Sequence, residues 1–152
     1  MNRTLAIYNR LSTLPLGKRI VSRIVCFKAP YFRSIRPLVA ELRPGLCEVR
    51  ITKRRSVLNH LGSVHAIAMC NMVELAAGLA IDVTLPATHR WIPRGMNVAY
   101  KKIARSDLRA LCEIREIEYD SVSEVPVEVS ITDRENVEVL HAIVTMHVTK
   151  RR

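Results

Sequence analysis

An α+β fold, in which amphipathic strands cover one long buried helix, is what this sequence predicts, and three observations predict it. First, sixteen of the twenty residues from Val64 to Val83 are apolar or small. They fall on every side of a helix, so protein should surround it. Second, strands with strict alternation follow, and such strands need one apolar object to cover. Third, 152 residues at 49% hydrophobic and 25% charged suit a single domain with one core.

The elements follow in order. Residues 1–29 read as a basic amphipathic helical extension, with Ile20, Val21, Ile24 and Val25 at helical spacing. Ile35 to Leu42 reads as extended, interrupted by Pro37, and Pro44-Gly45 turns it into Cys47 to Thr52. The polar knot Asn59-His60-Leu61-Gly62-Ser63-Val64-His65-Ala66 feeds the apolar helix, with Ser63 as its expected N-cap. Pro86 to Gly95 reads as a loop leading into a strand from Met96 to Ala104. Leu108, Ala110, Cys112 and Ile114 share one face, as do Val125, Val127, Val129 and Ile131. Asp133 to Asn136 makes a hairpin turn into Val137 to Val148, where Leu140, Ala142, Val144, Met146 and Val148 share a face. Residues 30–152 therefore form the single main domain.

Twenty apolar residues also reach the length of a transmembrane helix. Glu74 near the centre argues against a span, since a buried carboxylate costs on the order of 3 kcal/mol on insertion scales. His65, Asn71 and Asp82 add to that polar load. A core helix fits better, and its acid then calls for a chemical reason.

Charge gives 24 Lys and Arg against 14 Asp and Glu, a net of +10, so an anionic partner is expected. Residues 1–36 carry eight cations (Arg3, Arg10, Lys18, Arg19, Arg23, Lys28, Arg33 and Arg36) and no acid. A solvated flank packed on the sheet and contact with a membrane surface both account for that segment. Nucleic acid fits poorly, because aromatics are 5% and no base-stacking motif is present. Cys26, Cys47, Cys70 and Cys112 lack a C-x-x-C spacing, which points to reduced thiols and a cytoplasmic protein, peripheral at a membrane if the basic segment docks there. The five histidines have no metal-ligand spacing, and no metal is expected.

Asn59, then His65 six residues on, then Glu74 nine residues further, resembles the active-site pattern of the hotdog-fold thioesterases of the phenylacetate-pathway type. The resemblance covers roughly residues 30–149. It implies a curved antiparallel sheet wrapped around a central helix, homodimers with sites at the interface, and hydrolysis of an acyl-coenzyme A or acyl-carrier thioester. Two features depart from the pattern: Ala66-Ile67 stands where those enzymes have two glycines, and Glu74 where they have Asp. The run from Asn59 to Ala66, with Ala29-Pro30-Tyr31-Phe32 and Arg90-Trp91-Ile92-Pro93, is also similar to a hotdog branch catalogued as a domain of unknown function.

Thioester hydrolysis needs a base or nucleophile for the carbonyl carbon, and hydrogen-bond donors where charge gathers on the carbonyl oxygen. Glu74, expected to be desolvated with a raised pKa, activates water or attacks the thioester directly. The N–H groups of Ala66 and Ile67 at the helix start form the oxyanion hole. Asn59 or His65 orients the carbonyl or the base. Nine residues at about 100° each place His65 and Glu74 on opposite helix sides, roughly 13 Å apart along the axis. With the interface sites that the resemblance implies, that separation leads to the expectation of a homodimer, or a higher homo-oligomer, sharing each site between two chains.

Gly62, Ser63, Asn71, Arg94, Lys101 and Lys102 are the expected substrate-binding residues, with Arg90 and Arg105 on the same cationic rim for the coenzyme phosphates. Met69, Met72 and Met96 are candidates to line the acyl pocket. Coenzyme A enters as part of the substrate, and no cofactor is expected. Two other readings remain open. His60 precedes Glu74 by fourteen residues, a spacing similar to that of the hotdog hydroxyacyl-carrier-protein dehydratases, without their Pro-Gly setting. A non-catalytic acyl-binding or regulatory protein is the other, and the Ala66-Ile67 departure favours it.

Overall fold

The long apolar run becomes a helix from Ala66 to Thr84, and its burial organises everything around it. A computed structural model describes residues 2–115, 117 and 123–151. Two short helices come first, α1 (Arg3–Leu11) and α2 (Gly17–Lys28), then a 3-10 turn (Pro30–Ile35). Strands β1 (Leu38–Arg43) and β2 (Leu46–Ile51) precede the core helix α3, and β3 (His89–Tyr100), β4 (Leu108–Glu113), β5 (Ser123–Thr132) and β6 (Glu138–Lys150) follow it.

The six strands form one antiparallel sheet in the order β1-β2-β4-β5-β6-β3. Its inner face is set by the alternation visible in the sequence. Val49, Ala110, Val129, Ile131, Ala142 and Val144 are all fully shielded from solvent, and α3 contacts every strand. This is the α+β hotdog architecture that the resemblance implied. By length and composition alone α3 would cross a bilayer, yet most of it is buried in the sheet, as expected of a core helix.

The N-terminal extension is two helices rather than one. Leu16 takes a left-handed backbone (φ 62°), and Gly17 lies so close to Leu11 that a Cβ would sit 1.6 Å from the Leu11 carbonyl oxygen. The chain thus folds back sharply between α1 and α2. Both helices share the main core through Tyr8 and Val21. The Tyr8 hydroxyl donates to the Ala40 carbonyl (3.1 Å), and Asn2 caps α1 while donating to the Asp82 carbonyl (2.7 Å).

The segment from Pro86 to Gly95, read as a loop because of its prolines and glycine, is a strand from His89 onward. Proline lacks the N–H that a central strand needs, but β3 is an edge paired to β6 alone, and the register shifts by a bulge between Pro93 and Gly95. Both are settings in which a sheet tolerates proline. The turn at Asp133 forms as expected, its carboxylate accepting from the N–H groups of Glu135 and Val137 (2.9 Å each).

Candidate active site

The helix start differs from the expectation at its cap. His65, not Ser63, is the N-cap: its backbone is extended, and its Nδ1 accepts from the Ile67 N–H at 3.0 Å. Ser63 is buried in the preceding loop, where Asn59 holds it. The Asn59 amide donates to Ser63 Oγ (2.8 Å) and accepts from the N–H groups of Leu61 (2.9 Å) and Ser63 (3.2 Å). Gly62 completes that turn with φ 73°, a conformation that favours glycine. Asn59 and Gly62 therefore build the loop that presents His65, and their own polar groups are engaged within it.

This arrangement limits which N–H groups are open for the expected oxyanion hole. Of the four N–H groups from Val64 to Ile67, Val64 donates to the Ala104 carbonyl and His65 to the Val57 carbonyl, both at 2.8 Å. Ile67 donates to His65. Ala66 is left as the donor at the positive end of the helix dipole, and Ile67 joins it only if the His65 ring turns away.

Glu74 is exposed rather than buried, so the expected desolvated carboxylate is not found. The reason is geometric: one stripe of α3 carrying Ile67 and Glu74 has no strand over it. Among the described residues Glu74 forms no side-chain hydrogen bond or ion pair. It lines a cavity of about 300 Å³ roofed by α1 and α2, whose apolar walls include Ile24, Val25, Phe32, Leu75, Leu79 and Trp91. The other acid there, Asp82, is engaged by Asn2 Nδ2 (3.3 Å) and by Trp91 Nε1 (3.3 Å). Glu74 is thus the unengaged carboxylate on an apolar wall.

His65 lines a second cleft of about 170 Å³ with Tyr31, Ser34, Ile67 and Asn71. Asn71 Nδ2 donates to Ser34 Oγ at 3.0 Å, while its buried Oδ1 has no partner among the described residues. An unpaired buried acceptor is costly and suits a ligand N–H. His65 and Glu74 stay apart within the chain, the one in the smaller cleft and the other on the wall of the larger cavity. The axial separation survives, since eight residues from Ala66 to Glu74 span roughly 12 Å.

The expected cationic rim is not at either cavity. Arg94 pairs with Glu124 (3.3 Å) and Lys101 with Glu138, and Lys102, Arg90 and Arg105 are exposed away from both cavity linings. Lys28 lines the larger cavity instead. Met69 and Met72 are buried in the core and Met96 half-buried, none of them at a cavity wall. His60 is exposed and lines neither space. Burial pushes the thiols of Cys47 and Cys112 up, the latter to about 12, so neither is a ready nucleophile. Sequence reasoning missed Ser34 altogether, and marked Lys28 and Phe32 only within the basic segment and the Ala29–Phe32 run, not as cavity residues. Trp91, the single tryptophan, was marked only within the Arg90-Trp91-Ile92-Pro93 run, not as a cavity wall.

A family model described as Domain of unknown function (DUF4442) matches residues 17–148. A crystal structure of a genomics target is 41% identical over 97% of this chain and 98% of that one, with a TM-score of 0.86. A Pseudomonas aeruginosa protein of unknown function, described as "Probable Thioesterase", is 18% identical over 91% and 97% of the two chains (TM-score 0.77). A thioesterase from Haemophilus influenzae is 13% identical over 79% and 82% (TM-score 0.70). No curated protein matches the sequence. The two distant likenesses show the fold alone.

Proposed function

The chain belongs to the family described as Domain of unknown function (DUF4442), and from that membership and the cavity beside Glu74 we propose that it hydrolyses the thioester of an acyl-coenzyme A. The observation that carries this reading is the unengaged carboxylate of Glu74 on the wall of an apolar cavity of about 300 Å³. Such a space suits an acyl chain, and the carboxylate stands where the chain meets solvent. Glu74 takes a proton from water as the water oxygen adds to the carbonyl carbon, and the C–S bond then breaks as the protonated Glu74 passes that proton to the departing sulfur. Direct attack by the carboxylate, with water then cleaving the mixed anhydride, is the other course open to the same group.

The carbonyl oxygen needs donors that one chain does not bring to Glu74, because Ala66 lies about 12 Å up the helix axis. A second copy supplies them. β3 leaves a twelve-residue edge unpaired, and edge strands are templates for pairing. Beside that edge lies the uncovered stripe of α3, with Ile67 at 55% exposure. In the proposed homodimer each site takes Glu74 from one chain and the Asn59–His65 segment, with Ala66, from the other. The cleft at Asn71 then suits an amide N–H of the pantetheine arm, and Lys28, on the larger cavity's lining, is the cation placed to meet phosphates.

A non-catalytic acyl-binding protein is the second reading, favoured by the engagement of the Ile67 N–H with His65. A panel of acyl-coenzyme A thioesters read by thiol release, beside an enoyl-coenzyme A hydration assay, decides among these. Thiol release supports the proposal, hydration without release replaces it with the hydratase reading, and tight acyl binding without turnover replaces it with the binding protein.

A further inference from the structure

The inner and outer faces of α2 are both apolar, which a helix on a soluble surface rarely shows. Val21, Ile24 and Val25 face the cavity over α3. On the opposite side Leu16, Ile20, Arg23 and Phe27 recur at positions i, i+4, i+7 and i+11, a single stripe along the helix. Phe27 is 87% exposed and Leu16 66%, and Tyr31 continues the stripe into the 3-10 turn at 72%. Arg23 is the single polar residue among these four positions, whereas a solvated flank would be polar at most of them.

Arg23 lies within the stripe, Arg19 flanks it and Arg33 follows beyond the helix, all exposed. No acid occurs before Glu41, and among the described residues no carboxylate pairs with any cation of residues 2–36. Unpaired cations beside large exposed apolar side chains are the composition of an interfacial helix. We propose that the outward face of α2, with Leu16 at its start and Tyr31 beyond its end, docks the protein on an anionic lipid surface. The apolar stripe enters the acyl boundary while the arginines and lysines meet the headgroup phosphates. Because the same helix roofs the cavity on its inner side, docking brings the cavity against the membrane. The binding claim itself does not depend on the thioesterase reading.

The test is flotation of the full-length protein with vesicles of phosphatidylcholine alone and of phosphatidylcholine with phosphatidylglycerol, at low and high salt. The expected result is binding to the anionic vesicles at least about tenfold stronger than to the neutral ones, weakened by salt. Leu16→Ser with Phe27→Ser, and separately Arg19→Gln with Arg23→Gln, should each reduce that binding at least about tenfold. Both pairs lie on exposed surface, so thermal unfolding and hydrolysis of a soluble short-chain thioester should be unchanged. Absence of vesicle binding overturns the proposal, as does binding indifferent to the serine pair. Equal or tighter binding to an oligonucleotide duplex, or self-association abolished by the serine pair, assigns the face to nucleic acid or to a second copy and overturns it as well.

Discussion

The indole of Trp91 packs so closely on α3 that a methyl carbon added at Gly78 would lie 2.9 Å from ring atom Cη2. The same ring donates from Nε1 to Asp82, one turn further along the helix. Together these contacts fix one wall of the cavity beside Glu74. Gly78→Ala should gain about 1 kcal/mol of helix propensity and lose about 1–3 kcal/mol to overpacking, for a net loss or near balance. Trp91 is the only tryptophan, so its emission should shift in the variant. An unchanged emission with higher stability in urea would show that the ring is not held against the helix.

His65 has two separable roles, a cap for α3 and a side chain in the proposed site. His65→Ala should cost about 0.5–2 kcal/mol of stability through the lost cap. His65→Asn, which also caps, should restore stability to near the wild-type value while activity stays low. Recovery of both together would reduce His65 to a structural residue.

Glu138 is held well below the ordinary carboxylate value of 4.5, at about 2, first by its bond to Lys101 and then by Ser130 and His141. A depressed value in the folded state stabilises the fold above the unfolded value, and that contribution is lost as pH falls from about 4.5 towards 2. The stability difference between wild type and Glu138→Gln should therefore be full at pH 7, shrink through that window and vanish near its lower end. Chemical unfolding at a series of pH values reads it, and a difference that persists unchanged to pH 2 would contradict it.

Most of the fold was legible because alternation and apolar length are local signals. Val125 to Ile131 and Leu140 to Val148 alternate so strictly that one face had to be buried. β3 was misread at its start because Pro93 breaks the ordinary strand rule, and only its place at a sheet edge makes it acceptable. The site was legible in its acid and its histidine but not in its environment. Glu74 was expected to be buried because sixteen of twenty neighbours are apolar or small, yet whether a strand covers one stripe of a helix is decided by sheet width. The cavity was invisible for a similar reason: α2, 46 residues upstream in sequence at Lys28 to Glu74, forms its roof.

The shared-site arrangement predicts complementation. A mixed dimer of His65→Ala and Glu74→Ala chains holds one intact and one doubly defective site, so it should recover roughly half the wild-type activity. Each parent homodimer should be nearly inactive. A purified mixed dimer as inactive as its parents would place both residues in sites within one chain.

Glu74→Gln, assayed by thiol release from the best acyl-coenzyme A of the panel, tests the central claim most directly. The side chain is exposed and unpaired, so the substitution should leave the melting temperature unchanged. Removing a general base should lower kcat by about 10²–10⁴-fold. Wild-type turnover in a folded Glu74→Gln protein would contradict the assignment of the reaction to this carboxylate.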